Sequence, residues 1–469
     1  MSRSERAPLP LEPSGDVIAG LGADVLAYAD RFLGERTSAA ASSAGHDPGL
    51  IEDLLAMPPA HGADLDDVLR RLDQAIATGF DTASGRFLSY VPSGALYTSA
   101  LGTFLGAVTN RYSGAPHASP GAVAIEQSVI DWFISLYGLP AGAAGVLLSG
   151  GSVANLTATV AARSRLGEHF DHGVVYTSER AHHSVTKAAR IAGIRRDRIR
   201  PIRADSELRL DPVALRDAIE EDRASGLRPM MIVATAGTTD TGTVDPLHEC
   251  ALIARAAGAW FHVDAAYGGF FQLTDRGRAL LEGIELADSI TIDPHKSLFL
   301  PWGIGALLVR DEQALTESHE GRGSYMQDVP DSNELPHYFA LGPELTRPFR
   351  GLAVWLPLQL HGVAVFRDEL DRMLDLARDA ADVLGRIPGV ELTAPPDLSI
   401  VTFRASAGDA ASQHILDFLN DSREVHVSST TVQDRFVVRM AFLSQRTTDG
   451  IAQRAVALVR EALDAWSVR

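Results

Sequence analysis

Between Gly145 and Val309 short apolar runs alternate with stretches of helical periodicity. The runs are Gly145–Leu148, Gly173–Tyr176, Met230–Thr235, Trp260–Val263, Ser289–Ile292 and Gly305–Val309. Among them lie Ser152–Arg165, His183–Ala192, Pro212–Ser225 and Pro246–Ala257, each with an apolar face. Continuous apolar runs of this length suit strands covered on both faces, and helices between strands supply that cover. The alternation predicts an α/β fold with a mostly parallel sheet. Ligands of such sheets bind beyond the carboxyl ends of the strands, so polar residues just after each run are the first site candidates.

The flanks read differently. The first 20 residues and the stretch Thr37 to Pro48 are rich in Ser, Ala, Gly and Pro, as expected of a loose arm and a linker. Between them, and again from Asp64 to Gly79, apolar residues recur at helical spacing. After Arg347 a long helical segment runs from Gly351 to about Gly385, with an interruption expected at Pro357. Mixed strands and helices follow, closing with an amphipathic helix from Asp449 to Trp466. Three units are expected: 1–110, an arm and helical segment; 111–350, a large domain; and 351–469, a smaller α/β domain.

Charge limits the partners. With 60 acidic residues against 42 basic ones the formal net charge is −18, which repels nucleic acid and anionic lipid, so neither is expected to bind. No run approaches the roughly 18 apolar residues of a membrane span, and MSRSERAPLPLEPSGD lacks the apolar core of a secretory signal. The one cysteine, Cys250, lies in an apolar helical run and reads as a buried structural thiol. A cytoplasmic protein is expected.

The sharpest motif is Thr291-Ile-Asp293-Pro-His295-Lys296-Ser, at the end of an apolar run. A lysine there is ordinarily a solvated turn residue. Drawn out of water, it keeps more of its amine neutral, and the neutral amine attacks an aldehyde. Asp264, in His262-Val-Asp264-Ala-Ala266-Tyr, follows another run. Such a carboxylate is commonly a cap or ion-pair partner; it can also keep a pyridine nitrogen protonated, with Ala265 and Ala266 leaving room for a flat ring. Leu148-Ser-Gly-Gly151-Ser152-Val-Ala-Asn joins a strand to a helix, where backbone N–H groups point at an anion. No Gly-Lys-Ser/Thr follows, so one phosphate monoester fits better than a nucleotide. Ala181-His182-His183-Ser and Thr235-Ala-Gly-Thr-Thr239 also follow strands; they offer an imidazole to stack on a ring, and hydroxyl donors. His182, His262, Asp264 and His295 lack the close pairing of a metal-binding helix, so no metal is expected.

In content and order these segments resemble the fold-type I enzymes of pyridoxal 5′-phosphate (PLP), and among them the group II decarboxylases of the aromatic L-amino-acid branch. The likeness runs from about Arg86 to Leu356. It implies a PLP-dependent transferase-like fold whose large domain has a seven-stranded, mostly parallel sheet. It further implies a homodimer with active sites at the interface, and decarboxylation of an L-amino acid, aromatic first. By the same likeness Lys296 carries PLP as a Schiff base, Asp264 pairs with the ring nitrogen and Ala266 packs on the ring. His182 stacks on the other face and serves in proton transfer, while Gly151, Ser152 and His295 hold the phosphate. Thr239 and Asp293 fall at cofactor contacts, and Tyr90, Val91 and Ser93 in the substrate pocket. Asn110-Arg111-Tyr112 and His117 fall in a segment that reaches the partner's pocket. Tyr325 falls on a loop that carries a catalytic tyrosine across the interface; tyrosine there accompanies amine formation, and phenylalanine oxygen-dependent aldehyde synthesis.

Two departures stand out. The aromatic branch usually has asparagine at Asp293 and phenylalanine at Val91. The smaller Val91 keeps branched aliphatic substrates open, and acidic ones remain a further alternative. An aminotransferase uses the same fold and lysine, with an arginine that grips the substrate carboxylate; Arg435 and Arg439 are the candidates.

Overall fold

The computed structural model describes residues 9–36, 38–43, 45, 48–319, 321 and 334–467. Its larger sheet has the strand order β1-β7-β6-β5-β4-β2-β3. The strands are β1 (Ala144–Leu148), β2 (Gly173–Ser178), β3 (Ile199–Ile202), β4 (Arg228–Thr235), β5 (Trp260–Ala265), β6 (Ser289–Ile292) and β7 (Gly305–Val309). All pairs from β6 through β5, β4 and β2 to β3 are parallel, and β7 runs antiparallel to both β1 and β6. Strands β1, β2, β5, β6 and β7 are buried along their whole length, which is why they read as unbroken apolar runs. The expected α/β architecture and seven-stranded sheet are present. Strand β3 was not expected: Arg200 and Pro201 interrupt its apolar pattern, and a proline is tolerated because the strand lies at the sheet edge.

Register prepares the site. Thr235 pairs with Asp264, and Asp264 with Thr291, so the carboxyl ends of β4, β5 and β6 lie level. A second, antiparallel sheet has the order β10-β11-β9-β8, from β8 (Val390–Leu392), β9 (Ile400–Ala405), β10 (Ser428–Val432) and β11 (Arg435–Ala441). One apolar cluster is continuous from Phe261 and Ile290 of the larger sheet to Phe403 and Val438 of the smaller.

Two helical boundaries differ from expectation. The break in the long helical segment falls at Gly362 (φ 73°), between helices Arg350–His361 and Val363–Leu384, and Pro357 stays inside the first. Proline deprives the carbonyl four residues earlier of its donor. That carbonyl, on Ala353, accepts a 2.6 Å bond from the Ser99 hydroxyl instead, so the helix continues. The first helix, Gly15–Glu35, begins inside the stretch expected to be a loose arm, and none of its residues is buried. Among the described residues no helix is long and apolar enough to cross a membrane.

Candidate active site

Turns after β1, β2, β4, β5 and β6 converge on one cavity of about 400 Å³. Gly151, Ser152, His182, Thr239, Asp264, Ala266, Asp293, His295 and Lys296 all line it. Its size suits a small molecule, since ligand pockets run to about 300–1,000 Å³.

Lys296 sits on a short helical turn, Pro294–Ser297, that starts directly after β6. Proline at its first position sets φ for the turn at no loss, because that N–H has no intrahelical acceptor. Lys296 Nζ lies 3.2 Å from Asp293 Oδ2, so the carboxylate at that departure from the family pattern meets the lysine's own charge. Asp293 is 2% exposed, and its Oδ1 has no hydrogen-bond partner among the described residues. His295 Nε2 is 3.7 Å from Asp293 Oδ2, while its Nδ1 faces the carbonyl of Ile304 at 2.7 Å and donates to it. Burial pulls the His295 pKa below the ordinary value, with Asp293 opposing.

Asp264 is buried at the end of β5. Its Oδ2 accepts from Asn155 Nδ2 at 2.9 Å and its Oδ1 from the Ala266 amide at 3.2 Å. Gly150 and Gly151 form the turn into the helix Gly151–Ser164, whose first N–H groups have no intrahelical acceptor. A Cβ on Gly151 would lie 3.0 Å from Asp293 Oδ2 and 3.1 Å from Ala266 Cβ, so a side chain there would crowd the cradle. His182 is both cap and cavity wall: its ring accepts from the Ser184 amide at the start of His183–Ile191. Burial lowers its pKa, against the pull of Asp264.

A lysine amine, a buried carboxylate and a glycine turn before a helix, all facing one cavity, fit PLP. Residues 49–406 match the sequence model of the pyridoxal-dependent decarboxylase conserved domain. The chain belongs to this family. It is 35% identical over 401 residues to the aromatic-L-amino-acid decarboxylase of Bacillus atrophaeus, covering 83% of this chain and 84% of that one. Tryptophan decarboxylase 1 of Oryza sativa subsp. japonica is 30% identical over 449 residues, covering 88% and 87%. The crystal structure of Oryza sativa TDC with PLP and tryptamine superposes with a TM-score of 0.93 at 27% identity, over 97% of this chain and 100% of that one. The enzyme is thus a PLP-dependent carboxy-lyase.

Some expected residues lie elsewhere in the decarboxylase. Tyr90, Val91 and Ser93 do not line the cavity: Tyr90 is exposed, Val91 packs on the main core, and the Ser93 hydroxyl donates to the Leu300 carbonyl at 2.5 Å. Tyr325 lies outside the described residues. Arg439 is buried on β11, with Nε on the Asp240 carbonyl and Nη1 on Ser428 Oγ, and is not part of the cavity lining. Conversely, Asn155, Ser184 and Trp302 line it unannounced. Spacing could have found Asn155, one helical turn beyond Gly151 and Ser152; nothing marked Trp302, which is 62% exposed at the rim.

Asp293 yields a prediction. A phosphate held at the Gly151–Ser152 turn would meet the like charge of the buried Asp293 carboxylate, part of which Lys296 offsets. Asp293→Asn is expected to tighten PLP binding to the cofactor-free enzyme about tenfold, read by fluorescence titration. Weaker binding would mean that the carboxylate helps to hold the cofactor.

Proposed function

We propose that the enzyme converts an aromatic L-amino acid to its amine and CO2, as a cytoplasmic homodimer with active sites at the interface. The observation that carries this reading is the convergence of Lys296, Asp264 and the Gly151–Ser152 turn on one cavity, rimmed by Trp302. An exposed indole at the mouth offers a flat partner for an aromatic side chain. Aromatic substrates are named for both relatives described above.

PLP, when bound, supplies the electron sink for the pair released as the Cα–carboxylate bond breaks. Lys296 Nζ would hold the cofactor. Asp264 keeps a proton on the ring nitrogen, and Ala266 leaves room for the ring. N–H groups of Gly151 and Ser152 hold the phosphate, assisted by His295, with Thr239 and Asp293 alongside. His182, on the cavity wall, would lie beside the cofactor and, with Tyr325, would handle the proton returned to Cα. Tyr90, Val91 and Ser93 act on the substrate side; their segment is tied to the turn after Lys296 by Ser93 Oγ on the Leu300 carbonyl and the Leu96 amide on the Phe299 carbonyl.

Exposed apolar residues support the dimer: Val17, Ile18, Val25 and Leu26 on Gly15–Glu35 are exposed to solvent among the described residues. A single buried cysteine suits a reducing compartment. We divide the chain into an N-terminal segment (1–110), a cofactor-binding domain (111–350) and a smaller domain (351–469), a reading supported by the separate sheets.

Incubation with aromatic and branched aliphatic L-amino acids tests the substrate: amine and CO2 in equal amounts from the aromatic ones are expected, and turnover of valine or leucine alone would overturn the reading. Tyr325→Phe is expected to divert product from amine toward aldehyde, ammonia and hydrogen peroxide, with O2 as the oxidant consumed. Unchanged amine output would remove Tyr325 from the proton path.

A further inference from the structure

Beneath the cavity a chain of buried side chains joins two groups that face it. Trp260 Nε1 donates to Ser289 Oγ at 2.7 Å, and Ser289 Oγ is 2.7 Å from His262 Nδ1. His262 Nε2 lies 3.0 Å from Asn155 Oδ1, with Thr291 Oγ1 at 3.5 Å. Asn155 Nδ2 reaches both Asp264 Oδ2, at 2.9 Å, and Ser184 Oγ, at 3.0 Å. Ser184 Oγ is 2.8 Å from His182 Nδ1. Asn155, His262, Ser289 and Ser184 are each at most 3% exposed, so these partners are one another.

The direction of every bond follows from the two ends. An indole N–H can only donate, so Ser289 Oγ accepts from Trp260 and turns its own hydrogen to His262 Nδ1. Burial lowers the His262 pKa to about 4, so the ring is neutral at physiological pH, and with Nδ1 accepting from Ser289 its proton sits on Nε2. That proton goes to Asn155 Oδ1, which leaves the amide NH2 for Asp264 and Ser184. The same amide orientation is demanded from the other side, because a carboxylate only accepts. Ser184 Oγ, accepting from Asn155, donates to His182 Nδ1, which also takes the Ser184 amide at 3.3 Å. Neutral His182 therefore bears its proton on Nε2.

We propose that Asn155 is a positioning residue whose amide joins Asp264 to His182, holding the carboxylate in place and fixing the imidazole with its proton on Nε2. Because His182 lines the cavity, that N–H is the donor the neutral ring offers there. Asp264, His183, Lys296 and Asp293 are the charged or titratable groups around it. The inference rests on the roles of Asp264 and His182 proposed above, and it assigns their common support.

The test uses the full-length enzyme with 15N-labelled histidine rings, both PLP-loaded and cofactor-free, with the His182 signals identified by their loss in His182→Gln. In the unaltered protein His182 should show one tautomer, protonated at Nε2. Asn155→Ala should give mixed tautomers, shift the pH profile of turnover, and lower kcat about ten- to hundredfold with KM within about threefold. Protonated Nδ1 in the unaltered protein would overturn the proposal, as would an Asn155→Ala enzyme that keeps both tautomer and pH profile. Should Asn155→Ala not fold, Ser184→Ala removes the hydroxyl link from Asn155 to His182 and leaves the Ser184 amide on Nδ1: a shifted pH profile of turnover with an unchanged cofactor absorption band is expected, and an unshifted profile overturns the idea. Failure of the functional reading looks different, since the unaltered protein would then show no PLP absorption band that Lys296→Ala abolishes.

Discussion

Lys296→Ala is expected to lower turnover by about 10³-fold or more while leaving the fold intact. The side chain is partly exposed on a four-residue turn, and its one close polar contact among the described residues is Asp293 Oδ2 at 3.2 Å, so truncation leaves no cavity in the apolar core. What is lost is an amine held in place at the carboxyl end of β6. Well-oriented intramolecular groups reach effective molarities of about 10⁵ M and above, which free amine in solution does not replace. Borohydride treatment followed by mass spectrometry gives a second readout: PLP should be fixed on the peptide containing Lys296 in the unaltered enzyme and nowhere in the variant. Retention of normal turnover, or cofactor trapped on another lysine, would dismiss the assignment. The phosphate cradle does not involve the lysine's amine, so the variant should still bind PLP, more weakly and without the visible band. Removing Lys296 also leaves Asp293 with a buried carboxylate that has lost its nearest cation. The double variant Lys296→Ala/Asp293→Asn should accordingly bind PLP more tightly than Lys296→Ala alone.

The strands of the central sheet could be read from the residues because burial on both faces leaves no polar alternation, and β1, β2, β4, β5, β6 and β7 each announce themselves as an apolar run. The cavity could be read for a related reason: an acidic, basic or glycine residue directly after such a run has to sit at the sheet's carboxyl end. Strand β3 escaped because its pattern contains Arg200 and Pro201, which only an edge position tolerates. Pro357 misled for a reason no local pattern contains. The donor that lets the helix pass through it comes from Ser99, 254 residues away in the chain from Ala353. The hydrogen-bonded support beneath the site is equally non-local, since Asn155 meets Asp264 and His262 across more than a hundred residues. Even so, His262 and Asp264 stand two apart on β5 and so share a face, a period-two signal present in the residues themselves.

Asp264→Asn is the second large effect, about 10²- to 10³-fold in kcat, the range for removing one preorganised electrostatic group from an active site. The carboxylate is 4% exposed and accepts hydrogen bonds from Asn155 and from the Ala266 amide. An amide at this place carries no charge to hold a proton on a ring nitrogen. It also conflicts with its neighbour, because one of its two faces must meet the Asn155 NH2 with an NH2 of its own or turn that group toward the Ala266 N–H. One buried donor is then left without an acceptor, at a cost of about 1–3 kcal/mol, so a lower melting temperature should accompany the loss of activity. Two consequences thus arise from one substitution, and a cofactor analogue separates them. PLP methylated at the ring nitrogen carries its positive charge without a proton and needs no carboxylate to retain it. If Asp264 acts by holding that proton, the analogue should restore much of the lost kcat in Asp264→Asn while the melting temperature stays low. If activity stays low with the analogue bound at saturation, the carboxylate's contribution is to packing and orientation, and the electron-sink role assigned to it is wrong.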